Sequence, residues 1–306
     1  MVEKLGNVIL DYTFYNGDDS YSDGDIEEDL LHLVSQEEKS IIQILAEDNR
    51  WPILYHLSPV RKNILAWYDF KPNSSVLEIG AGCGAVTGIL CEKTQRVTCI
   101  ELSKRRSLIN ATRNKNYDNL KIMVGNFNDI ELKEKYDYIT LIGVLEYAAY
   151  YTLGENPFVS FLKNIKKYLK DDGKILIAIE NKFGLKYWAG RSEDHTGVFF
   201  DSLENYESTN SKVRTFSKTE LESMIQSAEL QIKNFYYPMP DYKFPKQVFS
   251  GKRLPNLDDI DMGVDTYDNN HIDLFNQTAV MQNLIKSGQF EFFSNSFFLE
   301  VEEKKV

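Results

Sequence analysis

Cysteine is scarce in this chain. Its three residues, Cys83, Cys91 and Cys99, show no metal-ligand spacing and cannot all pair, which points to free thiols in a reducing compartment rather than a disulfide scaffold. Long apolar runs are missing as well. The longest, around Ile139 to Tyr151, is broken by Glu146 and reads as a buried strand followed by a turn, so no stretch approaches the span of a membrane helix. Residues 1–11 lack the basic flank and apolar core of a signal peptide, and a cytoplasmic protein without membrane insertion is expected. Positive charge is in short supply: 35 basic side chains face 46 acidic ones, for a net charge of −11. That balance argues against a surface that tracks nucleic-acid phosphates, although it leaves room for a local basic patch. Internal repeats, low-complexity tracts and independent linkers are also absent from the pattern.

What is present is a chain of 306 residues, enough for one large α/β domain with insertions or two small domains sharing an interface. Residues 1 to about 30 are rich in Asp, Gly, Ser and Tyr, which is loop chemistry, with an acidic helix start at Ile26. Helical spacing recurs over 37–47 and 59–68. From there strands are expected at 75–80, 96–101, 119–124, 136–142, 173–180, 230–237 and 296–303, and helices at 84–93, 103–114, 158–170 and 217–228. This alternation predicts a Rossmann-like, doubly wound α/β fold: a seven-stranded, mostly parallel sheet with an antiparallel last strand. Residues 1–70 form an N-terminal extension and helical cap, and 71–306 the main domain. Two gaps, 181–216 after the fifth strand and 238–295 after the sixth, exceed the roughly 15 residues of ordinary connections and are expected to be ordered, lid-like insertions.

The chemistry is concentrated in Gly80-Ala81-Gly82-Cys83-Gly84, a glycine loop between the apolar strand Val76 to Ile79 and a helix, where backbone can approach a ligand closely. A carboxylate, Glu101, ends the next strand 101 − 80 = 21 residues after the first glycine, placed to accept hydrogen bonds from both hydroxyls of a ribose. Gly80, Gly82 and Ala85 also satisfy the dinucleotide pattern, so a nicotinamide cofactor fits these residues too. Glu78 favours S-adenosylmethionine, because a carboxylate two residues before the first glycine repels a pyrophosphate and attracts a sulfonium and an ammonium. An incidental surface turn is the plain alternative.

These residues resemble the class I methyltransferase family, with its acidic-x-G-x-G-x-G strand and loop followed by an acidic end to strand two. Residues 124–129 are similar to the third-strand turn that contacts adenine, with Asn126 where an Asp is common; residues 136–147 and 171–180 are similar to the family's fourth and fifth strands and adjoining turns. The resemblance implies S-adenosyl-L-methionine as cofactor and Glu78, Gly80, Ala81, Gly82, Gly84, Glu101, Leu102, Asn126, Phe127, Gly143 and Val144 as its binding residues. Beyond this core, residues 55–61, 180–190, 193–197 and 235–243 resemble a bacterial methyltransferase subgroup associated with surface-polysaccharide biosynthesis, sometimes fused to glycosyltransferases. That implies a small-molecule or glycan acceptor, O-methylation of a sugar hydroxyl, and a possible glycosyltransferase partner. Methylation of RNA or protein, or a non-catalytic cofactor-binding role beside a glycosyltransferase, are the competing readings; the chain lacks the tetrapeptide that grips a flipped base after strand four.

Methyl transfer to a hydroxyl needs alignment and removal of one proton. His195, beside Asp194 in the insertion after strand five, is the expected base because a neutral imidazole near pH 7 suits that task, with His56 a second candidate. A structural histidine is the competing role for each. Tyr187, Trp188, Tyr237 and Tyr242 offer apolar faces with polar tips for a sugar ring, and Arg61 and Lys243 offer charge for phosphates; core packing and solvated surface charge are the plain alternatives. No metal is expected, because Gly143 stands at the end of strand four where a Mg²⁺ site would need a carboxylate to match Glu180.

Overall fold

A computed structural model of the chain describes residues 1–17, 19, 24–36, 38–260, 262–263 and 270–304. The architecture is Rossmann-like, with a mixed sheet of ten strands rather than the expected seven. The chain divides into two compact units, residues 1–141 with 168–173, and 142–167 with 174–306.

The first unit opens with strands β1 (Val2–Leu5) and β2 (Val8–Phe14), then helices α1 (Ile26–Ser35), α2 (Ile41–Glu47), α3 (Trp51–Leu57) and α4 (Asn63–Ala66). It continues through β3 (Ser75–Ile79), α5 (Thr87–Lys93), β4 (Arg96–Glu101), α6 (Lys104–Arg113), β5 (Leu120–Gly125) and β6 (Tyr136–Ile142), whose last residue falls in the second unit. Its strands run β1-β2-β5-β4-β3-β6. The pairings β2 to β5, β5 to β4, β4 to β3 and β3 to β6 are all parallel, as the alternating pattern requires. All five residues of β3 are buried, the mark of a strand covered on both faces.

The N-terminal loop expectation is corrected. Residues 2–14 form an antiparallel hairpin that turns at Gly6-Asn7, and it adds two strands to the parallel run. Gly6 adopts φ +61°, and a Cβ there would lie 2.4 Å from the Lys115 carbonyl oxygen, so both conformation and close approach demand glycine. Of the acidic stretch that follows, residues 18 and 20–23 lie outside the described residues. Helix α1 begins at Ile26 as expected, whereas α2 begins at Ile41, where Ser40 and Gln43 form a capping box. Residue 37, at the expected start of α2, is outside the described residues. Leu30, Ile44, Ile53 and Leu57 of α1–α3 pack with Cys83 of the glycine loop and Ile109 of α6 in one buried cluster. Each such aliphatic side chain contributes roughly 1.5–3 kcal/mol through burial. The Arg106 guanidinium crosses this interface to Glu27 at 2.6 Å, both groups buried.

The second unit holds α7 (Ala148–Tyr151), α8 (Pro157–Lys166), β7 (Leu169–Glu180; residues 169–173 belong to the first unit), α9 (Leu185–Trp188), α10 (Lys218–Ser227), β8 (Leu230–Met239), β9 (Gln247–Ser250), α11 (Gln277–Lys286), α12 (Phe290–Phe293) and β10 (Ser296–Glu303). The strand order is β7-β10-β8-β9. β10 is antiparallel to both neighbours, as expected of the last strand. Helix α8 was expected to reach residue 170 but ends at Lys166, and β7 starts at Leu169. Gly173, expected to open the strand, lies inside it, and a Cβ there would meet the Leu169 side chain at 2.7 Å.

Residues 181–216 are ordered around Tyr206, a buried side chain whose backbone adopts φ +61°. That conformation costs on the order of 1–2 kcal/mol in a residue with a Cβ. The phenol offsets it by meeting the Thr215 hydroxyl at 2.7 Å, accepting from the Thr215 amide at 2.9 Å and donating to Glu193 at 3.2 Å. Residues 238–295 contain β9, α11 and α12, with residues 261 and 264–269 outside the described set. Among the described residues, no helix is long and apolar enough to cross a membrane.

Candidate active site

In the first unit the glycine loop leaves the carboxyl end of β3 with Gly80, Gly82 and Gly84 all at positive φ (+70°, +52° and +76°). The three share that conformation for different ends. A Cβ on Gly84 would come 2.4 Å from the Asn110 side chain, whereas one on Gly82 would meet nothing within 4 Å, so the loop is packed from beneath and open at its middle. Glu101, the last residue of β4, ties it down: its carboxylate accepts from the Gly82 amide at 2.7 Å and from the Ser103 amide at 2.9 Å. Burial raises the Glu101 carboxyl above its ordinary value, with Arg106 and these amides opposing. A carboxylate has further lone pairs to offer a ribose. Arg113 fixes the loop to the helical cap, donating 2.7 Å hydrogen bonds to the carbonyls of both Cys83 and His56.

Glu78 is turned into the interior. It accepts from the Thr87 hydroxyl at 2.7 Å and the Cys99 thiol at 3.1 Å, and Thr87 in turn accepts from the Asn110 amide at 3.0 Å. Burial outweighs these donors and lifts its carboxyl from 4.5 to about 7. A raised carboxyl contributes stability that is full below pH 4.5 and is lost as pH rises through about 7. Glu78→Gln is therefore expected to unfold at higher urea than the parent at pH 8, by about 3 kcal/mol, and to show little advantage at pH 5. Urea titrations at the two pH values check this; an equal gap at both would contradict the buried-carboxyl account.

Asn126, at the carboxyl end of β5, accepts from the Asn128 amide at 3.0 Å and turns the chain, and Phe127 is buried with its ring edge-on to Tyr168. Leu102, between Glu101 and Ser103, is half-buried. In the second unit, Gly143 adopts φ +71°, and a Cβ there would lie 2.8 Å from the Tyr242 hydroxyl oxygen and 3.5 Å from Glu146 Oε1. Val144 follows it.

The second unit gathers a buried set of ionisable groups. Glu180, the last residue of β7, is fully buried, with Lys243 Nζ 2.5 Å from one oxygen and His195 Nε2 3.5 Å from the other. The His195 Nδ1 faces the Tyr147 hydroxyl at 2.9 Å, and its amide donates to Glu193 at 2.7 Å. Asp194 pairs with Lys186 (2.5 Å) and Lys243 (3.2 Å) and accepts from the Tyr187 hydroxyl (2.7 Å), while Lys186 also reaches Asp241 at 2.8 Å. Glu146 stands in the turn after β6, without exposure. Burial and the neighbouring Glu180 charge push its carboxyl well up; Glu180 itself is held down, because Lys243 and His195 overcome its burial. Burial would lower His195, yet the adjacent Glu180 carboxylate raises it to about 9. That environment favours the charged ring over the neutral imidazole expected near pH 7.

The structure brings Tyr187, Asp194, His195 and Lys243 together, and Tyr242 lies beside Gly143. Asp194 does not orient His195, because two lysines and Tyr187 occupy it. Tyr237 is elsewhere, its hydroxyl donating to Glu291 and its ring packed on Phe290 and Phe297 in the core. Trp188 is 43% exposed and packs edge-on to Phe293. His56 and Arg61 belong to the first unit; both are buried around Tyr55, with the Arg61 guanidinium 4.2 Å above that ring. Glu146, Tyr147 and Asp241 were not singled out as site residues, whereas Lys186 was expected among the charges that could meet a phosphate.

The parallel run β5-β4-β3-β6, the open glycine turn and the carboxylate closing β4 define a nucleotide-cofactor fold of the class I methyltransferase type. Residues 77–175 match the family model described as a methyltransferase domain. The chain is 36% identical over 103 residues to an uncharacterized methyltransferase of Staphylococcus carnosus (strain TM300), covering 33% of this chain and 45% of that protein. It is 25% identical over 113 residues to (S)-coclaurine N-methyltransferase of Thalictrum flavum subsp. glaucum, covering 36% and 29%. The alignments thus span less than half the length of either relative. Among solved structures, the CcbJ methyltransferase from Streptomyces caelestis superimposes with a TM-score of 0.51 at 14% identity, over 84% of this chain and 97% of that one. Residues 77–175 thus resemble a methyltransferase domain, and the match supports S-adenosyl-L-methionine as cofactor.

Proposed function

We propose that the chain is an enzyme that transfers a methyl group from S-adenosylmethionine to a hydroxyl of a sugar, carried by a nucleotide or a surface glycan, in the cytoplasm. The observation that carries this reading is the buried acid–base set of the second unit. Glu146, Glu180, Asp194, His195, Lys186 and Lys243, with Tyr187 and Tyr242, offer ionic and hydroxyl partners of the kind a polyhydroxylated acceptor demands. Glu146 and Glu180 follow the carboxyl ends of β6 and β7, positions where open α/β sheets bind ligands.

When bound, S-adenosylmethionine would supply an activated methyl group, and an acceptor hydroxyl would have to give up one proton. The first unit's residues fit that cofactor: Gly82 leaves the loop open, Glu101 accepts hydrogen bonds, and Asn126 and Phe127 form the turn assigned to adenine. The Glu146, Glu180 and His195 group handles the proton, and Lys186 and Lys243 keep the surrounding carboxylates ionised. His56 and Arg61 support the helical cap. Residues 55–61, 180–190, 193–197 and 235–243 carry the resemblance to surface-polysaccharide methyltransferases, which favours a sugar acceptor and a glycosyltransferase as neighbour.

The test is radiolabelled methyl transfer by the purified chain to a panel of nucleotide sugars and host glycans, with RNA and protein extracts alongside. Label entering a sugar as a base-stable methyl ether is expected. Label confined to RNA or protein would overturn the reading, as would tight cofactor binding with no transfer to any acceptor.

A further inference from the structure

We propose that Glu146, Glu180 and His195 form a binding site for one divalent first-row cation of the Mn²⁺ or Zn²⁺ kind. The three residues come from separate segments: the turn after β6, the end of β7, and the insertion that follows it. Each offers one ligand atom, and these atoms all lie within 4.8 Å of one another. Bonds of about 2.1 Å to a common ion allow ligand separations up to about 4.2 Å, so small side-chain rotations close the set.

The second observation is a set of unmet polar atoms. Neither carboxylate oxygen of Glu146 has a hydrogen-bond partner, although the residue is wholly buried. Both oxygens of Glu180 and Nε2 of His195 likewise have no hydrogen-bond partner among the described residues, the Lys243 contact with Glu180 being an ion pair. Buried polar atoms of native proteins are nearly always satisfied, and five such atoms facing one another require an explanation. A cation meets them all at once. The Lys243 and His195 charges act on Glu146 without a hydrogen bond to either of its oxygens.

The surroundings match what a metal-bound histidine needs. The Tyr147 hydroxyl at 2.9 Å fixes the Nδ1 side of the ring and leaves Nε2 directed at the carboxylates, which is how outer partners orient such ligands. Glu193 holds the His195 backbone by accepting from the amides of His195 and Thr196, both at 2.7 Å. Two carboxylates and one imidazole suit Mn²⁺ or Zn²⁺ better than the all-oxygen sets of Ca²⁺ or Mg²⁺. Lys243 keeps Asp194 as partner when Glu180 turns to the ion. The ion's use rests on the methyl-transfer reading, since a bound cation would ionise an acceptor hydroxyl directly; its binding does not.

The full chain, dialysed against a chelator, is titrated with MnCl₂ and with ZnCl₂ by calorimetry, and Mn²⁺ is followed in parallel by electron paramagnetic resonance. S-adenosylhomocysteine binding is measured on the same samples. One ion per chain is expected. Glu146→Gln and His195→Asn should each weaken it more than tenfold with S-adenosylhomocysteine affinity unchanged, and Asp172→Asn, on the exposed surface, should leave it intact. Should either site variant fail to fold, the parent titration still decides. Failure of the parent chain to take up either ion at millimolar concentration would overturn the proposal, as would affinity unaffected by Glu146→Gln. Ion uptake without S-adenosylhomocysteine binding would sink the methyltransferase reading and leave the site standing.

Discussion

Glu101→Ala is expected to weaken S-adenosylhomocysteine binding about ten- to a hundredfold. The carboxylate accepts from the amides of Gly82 and Ser103, at 2.7 and 2.9 Å, in a pocket where it is 4% exposed. Truncation leaves those two amides without their acceptor and removes the group assigned to the ribose. Losing one charge-assisted hydrogen bond costs roughly 1.5–3 kcal/mol, which corresponds to this range. Glu101→Gln keeps an acceptor oxygen for one amide and should lose less. Calorimetry on both variants, with circular dichroism to confirm folding, measures the difference. Unchanged affinity in Glu101→Ala would refute the ribose assignment.

The largest stability effect is expected at Lys186. Its ammonium lies 2.5 Å from Asp194 and 2.8 Å from Asp241, in a site where all three side chains are 15% exposed or less. Burial alone would lower the lysine, but the two carboxylates raise it above its ordinary value, so the charge is firmly held. Lys186→Met keeps the length of the stem and deletes the charge, leaving Asp241 without its ion pair and Asp194 with Lys243 alone. Breaking a buried pair by removing one partner costs about 3–5 kcal/mol. Urea unfolding should register a loss of that size, and Lys186→Met with Asp194→Asn should recover part of it. A loss below about 1 kcal/mol, the scale of surface pairs, would show that the set is hydrated.

Much of the parallel core was legible because its signals are local. Val76 to Ile79 before a glycine turn, and Val97 to Ile100 before Glu101, each carry their own boundary, and the strands expected from 75 to 142 match β3 to β6 within one residue at either end. The hairpin at residues 2–14 was equally local, with Gly6-Asn7 between two apolar runs, but the Asp- and Gly-rich stretch after it set the reading of the whole segment. Strand β9 is four residues long and pairs only with β8, so nothing in its own sequence distinguishes it from loop.

The site divides along the same line. Loop glycines and strand-ending carboxylates announce themselves by spacing, whereas the second unit's charge set depends on which side chains the fold buries together. Glu146 carries no spacing signal of its own: Gly143 stands at the strand end, and the turn after β6 brings in the carboxylate three residues later. Tyr237 read as an acceptor contact because it is aromatic and near the chain's insertions, but on β8 it faces the core beside Phe297. Asp194 sits next to His195 in sequence yet points to Lys186, because adjacent side chains in an irregular segment have no reason to share a direction.

The account turns on the cofactor, and the most direct measurement is calorimetric titration of the full chain with S-adenosylhomocysteine beside NADH and NADPH. One molecule of S-adenosylhomocysteine per chain, with a matching rise in melting temperature and no response to either nicotinamide, is the predicted result. Binding and stabilisation by NADH or NADPH with none by S-adenosylhomocysteine would contradict it.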